Sequence, residues 1–137
     1  MPTVVSPVRA PVHVLAEAVA DPTTGAAPRS VTSLVLETQE PVFRGHYPGF
    51  PIFPGVCLIE CVHRSCLTTA PGTPRAVLTL AAVESTRFLG AVFPGDRIVI
   101  ESTWTAISDG WRVTARIRGD RGDVAAVRLR YHTGEAG

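Results

Sequence analysis

The sequence contains neither lysine nor asparagine, so all 13 basic residues are arginines, a bias that reads as codon usage. Charge is sparse as well. Asp, Glu, Lys and Arg make up 18% of the residues against 45% hydrophobic, too apolar for a disordered chain and too lightly charged for a coiled coil. A net charge of +1 offers no general attraction for nucleic acid. Long apolar runs are missing: the longest, such as residues 76–83, span about eight residues where a membrane helix needs about 20. The apolar stretch after Arg9 is interrupted by His13 and Glu17, which argues against a secretory signal. Three cysteines, an odd number without secretory context, read as reduced thiols. These absences lead us to expect a soluble, cytoplasmic protein that binds neither membrane nor nucleic acid.

What is present points to β-structure. With 137 residues the chain suits one domain, here taken as a loose lead-in over 1–11 and a single domain over 12–137. Twelve prolines and twelve glycines imply many turns. Weak alternation from Val12 to Val19, a turn at 21–25 and a return from Val31 to Glu37 predict two paired strands. Residues 43–55 are crowded with proline, glycine and aromatics, which predicts a stiff irregular loop. From Val56 to Thr69 no proline intervenes, and a helix of about four turns is expected, with Pro54 at its start. Val56, Leu58, Ile59, Val62, Leu67 and the three cysteines fall nearly all round it, so it should be buried. Four strands follow. The first lies within Arg75–Phe88; the second, Arg97–Ile107, aligns Ile98, Ile100, Trp104 and Ala106. Trp111, Val113, Ala115 and Ile117 share a face of the third, and Ala125, Val127, Leu129 and Tyr131 a face of the fourth. The fold class is therefore α+β, one central helix wrapped by an antiparallel sheet of about five or six strands.

One segment carries chemistry. His46 sits in the proline-stiffened loop, and Glu60 stands fourteen residues later on the second turn of a mostly apolar helix. Burial of a carboxyl favours its protonated form, a general acid, and a neutral histidine can serve as base. Gly55 at the helix start offers a backbone N–H and a helix dipole to a carbonyl oxygen. Cys57, Cys61, His63 and Cys66 mimic a metal cluster on paper, but buried thiols usually behave as small apolar groups, and no metal is assigned. His63, three residues after Glu60, reads as a spectator ahead of a tunnel-lining residue. Arg112, Arg116, Arg118, Arg128 and Arg130 take outward strand positions, a solvated face in preference to a dock for an acidic carrier.

The run Gly45-His46-Tyr47-Pro48-Gly49-Phe50-Pro51-Ile52-Phe53-Pro54-Gly55-Val56-Cys57-Leu58-Ile59-Glu60 closely resembles the signature of the FabZ-type 3-hydroxyacyl-acyl-carrier-protein dehydratases, G-H-F-P-x-x-P-x-x-P-G-V-x-x-x-E. Tyr47 is the one departure from its named positions. Arg87-Phe88 and Val92-Phe93-Pro94-Gly95-Asp96 resemble a later strand and turn of that family. The resemblance implies a hotdog fold and a dimer whose sites combine His46 of one chain with Glu60 of the other. It implies dehydration of a (3R)-3-hydroxyacyl thioester to the trans-2-enoyl thioester, without metal or organic cofactor. His46 would remove the C2 proton, Glu60 would protonate the departing hydroxyl, and the Gly55 N–H would hold the thioester carbonyl. Tyr47, Phe50, Phe53, Arg64 and Phe88 would join Gly55 in binding substrate, which arrives on the phosphopantetheine arm of an acyl carrier protein.

Two departures bear on this expectation. Arg64 replaces the glutamine usual four residues after the glutamate, and at that spacing it could hold Glu60 ionised. Leu89, Gly90 and Ala91 stand where the family often has further basic residues. Both point to a specialised polyketide or fatty-acyl pathway. The alternatives are a non-catalytic or half-catalytic subunit paired with a second hotdog chain, and a hotdog thioesterase in which Glu60 activates water.

Overall fold

A computed structural model of the chain describes residues 8–19, 26–37, 53–71 and 77–134. Six strands and one helix follow in the order β1 (His13–Val19), β2 (Arg29–Val35), α1 (Gly55–Thr69), β3 (Leu78–Phe88), β4 (Arg97–Ile107), β5 (Gly110–Gly119) and β6 (Gly122–Thr133). The strands form one antiparallel sheet in the order β1-β2-β4-β5-β6-β3. This is the expected hotdog arrangement, with the helix against the inner face of the sheet. The turn expected at 21–25 and the stiff loop over 43–52 lie outside the described residues.

Strands β4, β5 and β6 are a meander whose period-two patterns all turn inward. Ile98, Ile100 and Trp104, then Val113, Ala115 and Ile117, then Val127, Leu129 and Tyr131 are buried. The expected fourth member on β4, Ala106, is exposed instead, because it lies near the end of the strand. Where β5 begins, Gly110 lies so close to β6 that a Cβ would stand 2.0 Å from the Tyr131 carbonyl oxygen, so only glycine fits.

A buried set of hydroxyls ties helix to sheet. Thr32 Oγ1 donates to Ser65 Oγ at 2.8 Å, and Thr69 Oγ1 donates to the Ser65 carbonyl at 2.7 Å. The Thr69 and Ser30 hydroxyls share a bond of 3.1 Å, and the Trp104 indole N–H donates to Ser30 Oγ at 3.1 Å. Each partner is satisfied, so these polar groups are buried without the cost of a missing bond.

Three expectations need correction. The weak alternation of β1 is not realised: register shifts fall between Val14 and Ala16 and between Ala16 and Val19, and Val14 and Leu15 are both exposed. The helix is not buried all round. Its sheet-facing side buries Cys57, Leu58, Cys61, Val62, Ser65, Cys66 and Thr69, whereas Val56 is 71% exposed and Leu67 also faces out. The sheet has one inner face and covers one side of a helix. The described end of the lead-in is not loose either, since Val8 and Ala10 are buried in the core.

On the outer face, arginines and glutamates pair as a solvated surface would. Arg112 and Arg130 meet Glu84, and Arg29 and Arg118 meet Glu101. The edge strand β3 is unlike the rest. Val83 is 46% exposed, Phe88 50%, and Leu89 just beyond is exposed too, so the free edge of the sheet is apolar.

Candidate active site

The site is built around the start of α1. Pro54 is its N-cap, with extended backbone at φ −65° and ψ 145°, and its carbonyl accepts from the Cys57 and Leu58 N–H groups. The N–H groups of the first residues, Gly55 and Val56, have no acceptor within the helix by its geometry and point out of its positive end. The approach is anchored from the neighbouring turn: the Phe53 N–H donates to the Val92 carbonyl at 2.8 Å. That turn is itself pinned. Asp96 accepts from the Phe93 N–H and from both terminal nitrogens of Arg121, and the Arg121 guanidinium lies over the Phe93 ring. The Arg121 hydrogen bonds hold the Asp96 carboxyl below its usual pKa.

Phe88 at the end of β3 lies directly on Gly55. A Cβ there would meet Phe88 Cζ at 2.8 Å and Cε1 at 2.9 Å, so the glycine is what lets the ring approach the helix terminus. Beside them an open cleft of about 570 Å³ is lined by Phe53, Gly55, Val56, Leu58, Phe88, Gly90 and Ala91. Its walls are apolar and its polar feature is the helix end. Such a cleft accepts a chain of CH₂ groups ending in a carbonyl whose oxygen seeks an N–H donor.

Glu60 is half-buried one turn beyond Val56, on a stripe of α1 with Val56, His63 and Leu67. The sheet leaves this stripe uncovered. The Glu60 charge acts on two neighbours, opposing the downward shift of the His63 imidazole and raising the Tyr131 phenol. Gly55, Phe53 and Phe88 thus meet at the cleft, and Glu60 stands on the adjoining helix face. His46, Tyr47 and Phe50 lie outside the described residues.

Arg64 has a different role from the one expected. Its Nη1 donates to the carbonyls of Val8 at 3.0 Å and Ala10 at 2.7 Å, so the guanidinium clamps the N-terminal segment to the helix. Backbone carbonyls brought in from more than fifty positions away take the place of the i−4 carboxylate as its partners. His63, read as a spectator, is engaged: its Nδ1 lies 2.9 Å from the Tyr131 hydroxyl. The signal available in the sequence was its position three residues after Glu60. Cys57, Cys61 and Cys66 are buried free thiols.

Comparison with known proteins places this geometry. Curated relatives include the 3-hydroxyacyl-[acyl-carrier-protein] dehydratase FabZ of Thermus thermophilus, 40% identical over 76 residues, or 53% of this chain and 54% of that protein. The FabZ of Teredinibacter turnerae is 36% identical over 94 residues, 62% of this chain and 64% of that protein. The chain spans between about half and just under two thirds of the length of these curated relatives. Among solved structures, the dehydratase heterocomplex ApeI:P from Xenorhabdus doucetiae superposes with a TM-score of 0.65 at 24% identity, covering 80% of this chain and 91% of that one. A hypothetical thioesterase with coenzyme A from Streptococcus pneumoniae gives 0.67 at 9% identity over 90% and 86% of the two chains. Both likenesses are of fold. The sequence profile described as ApeI dehydratase matches residues 24–127. That match runs from ahead of β2 into β6 and takes in the whole helix and the cleft, and on this ground the chain belongs to the ApeI-like dehydratase family.

Proposed function

We propose that the protein dehydrates a (3R)-3-hydroxyacyl thioester, delivered on the phosphopantetheine arm of an acyl carrier protein, to the trans-2-enoyl thioester. The observation that carries this reading is the apolar cleft ending on the N–H groups of a helix whose first residue is the motif glycine, under Phe88. The Gly55 N–H holds the thioester carbonyl while charge builds on its oxygen. His46 takes the proton from C2, the C2–C3 double bond forms, and the C3–O bond breaks. Glu60 gives its proton to the departing hydroxyl, which leaves as water. Solvent then removes the proton from His46 and returns one to Glu60.

The working unit in this reading is a dimer. Two features support it: the uncovered stripe carrying Glu60, and the apolar free edge of β3. A second copy laid edge to edge on β3 would extend the sheet and cover both. It would also bring Glu60 of one chain toward the cleft of the other. A cytoplasmic location and a specialised polyketide or fatty-acyl pathway complete the reading. Pairing with an unlike hotdog chain is the second reading, favoured by the heterocomplex to which this fold is similar.

The test is incubation with a 3-hydroxyacyl carrier-protein thioester, following loss of water by intact mass. Wild type should turn over, His46→Ala and Glu60→Gln should not, and co-expression of the two variants should restore part of the activity. Free acid without enoyl product would indicate a thioesterase. A folded protein that removes no water alone but does so with a second hotdog chain would favour the heteromeric reading.

A further inference from the structure

Beneath the stripe that carries Glu60 runs a set of hydrogen-bonding groups that the reaction above does not use. His63 stands three residues beyond Glu60, so the two side chains are neighbours on the helix surface. Its Nδ1 lies 2.9 Å from the Tyr131 hydroxyl, and the two rings are nearly parallel, 10° apart with centroids at 5.7 Å. Tyr131 is fully buried on β6, stacked on its other neighbour Trp104, with the thiol of Cys66, one turn further along α1, beside it. The ring of His63 is therefore gripped along one edge and one face.

The chemistry of the three groups fixes the direction of their bonds. Burial pushes the Cys66 thiol up to about 12, so the sulfur keeps its proton, and burial raises the Tyr131 phenol as well. The phenol proton goes to the stronger acceptor, imidazole nitrogen in preference to sulfur. His63 accepts at Nδ1, and its own hydrogen sits on Nε2, on the edge away from Tyr131. Burial lowers the His63 pKa against the opposing pull of Glu60, so the ring is neutral at neutral pH. Among the described residues, the other charged groups near this face of the helix are engaged or exposed. Arg64 is given to the Val8 and Ala10 carbonyls, and His13 and Glu17 of β1 are exposed. From β2 the helix meets the hydroxyls of Ser30 and Thr32, with the β4 indole of Trp104 bonded to Ser30, and none of these titrates.

We propose that His63 is a positioning residue for Glu60, its Nε2–H donating to the Glu60 carboxyl group and holding that carboxyl toward the reacting hydroxyl. The inference rests on Glu60 as the proton donor of the dehydration. A nitrogen locked as donor cannot take the Glu60 proton, because the one lone pair of the ring is already occupied by Tyr131. It also stabilises the carboxylate left when that proton has gone to the substrate.

The test measures kcat and KM for a 3-hydroxyacyl phosphopantetheine thioester across the pH range in which the protein stays folded. His63→Ala should lower kcat about tenfold with KM within about twofold, the loss expected for one hydrogen bond to a charged group. Loss of a donor to the carboxylate should move the alkaline limb of the kcat profile to higher pH. His63→Gln, which keeps an N–H donor, should recover most of kcat. Tyr131→Phe, which keeps the ring and frees Nδ1, should give a smaller loss with the same direction of shift. An unchanged kcat and alkaline limb in His63→Ala would overturn the proposal, as would equal losses in the Ala and Gln variants with no shift. Should His63→Ala not fold, an unaltered profile in Tyr131→Phe would overturn it instead. Glu60→Gln separates the two levels: full activity there removes the proton-donor reading itself, whereas an inactive Glu60→Gln beside a normal His63→Ala removes only the role of His63.

Discussion

Replacing Gly55 by alanine separates the chemistry of the cleft from the stability of the helix. The described glycines with left-handed backbone are Gly95, Gly122 and Gly134, so alanine suits the backbone at 55. The lower entropy of the unfolded chain would then favour the variant by roughly 0.4–1 kcal/mol. Phe88 stands against it. The new Cβ would lie 2.8 Å from Cζ, and carbon atoms pack at no less than about 3.5 Å, so the ring must withdraw by about 0.7 Å. Being half exposed, Phe88 can move by a small rotation costing roughly 1 kcal/mol. The two effects nearly offset, and the melting temperature should stay within about 4 °C of wild type. Turnover should not survive so well. The methyl and the displaced ring would crowd the N–H proposed to receive the thioester carbonyl, and misplacement of that order costs about a hundredfold in kcat. Adding Phe88→Ala to Gly55→Ala removes the clash and should recover about tenfold of the loss. The assay is a thermal melt beside initial rates of enoyl formation. A stable Gly55→Ala protein with full activity would show that the cleft is not where the carbonyl binds. A large loss of stability would show that Phe88 is fixed in place and the steric argument wrong.

Other perturbations test other parts of the structure. Ser30→Ala removes the acceptor of the buried Trp104 indole N–H, and urea denaturation should show a loss of roughly 1–3 kcal/mol with an unchanged m-value. Gly110→Ala sets a methyl 2.0 Å from a backbone oxygen that no side-chain rotation relieves, so it should cost about 3 kcal/mol or more and yield little soluble protein. Arg64→Leu should release the segment around Ala10, and trypsin should then cut after Arg9 faster than in wild type; equal cleavage rates would refute the clamp. Asp96 gives a pH signature. Arg121 depresses its folded-state pKa, so its contribution is present above the ordinary value of 3.8 and is lost as pH falls through the lower folded value. Asp96→Asn should therefore be less stable than wild type at neutral pH, with the difference shrinking in acid denaturation.

How much of this could be read from the sequence depended on whether the deciding neighbour was local. Period two on β4, β5 and β6 is a local property, and Ile100, Ile117 and Leu129 are buried as the alternation requires. Gly55 and Glu60 stand out in the sequence because a glycine after proline at a helix start, and a carboxylate in an apolar helix, are each costly without a reason, and the structure sets Gly55 in the wall of the cleft. On β1 the alternation failed because two register shifts broke the period, and nothing in Val14 or Ala16 announces a bulge. Val56 and Leu67 look like core residues by composition, yet the sheet supplies one surface and the helix has two sides. His63 and Arg64 show the limit most clearly. Both are spaced to reach Glu60, at i+3 and i+4, and spacing alone favours the arginine, which carries the opposite charge. Val8 and Ala10, 56 and 54 positions away, draw Arg64 aside with two carbonyls, and Tyr131, 68 positions away, holds the His63 ring. Neighbours on one helix turn are set by geometry that any sequence displays. Where each side chain goes is decided by groups that only the folded topology brings near, and for that reason spacing from Glu60 alone does not assign the partners of either residue.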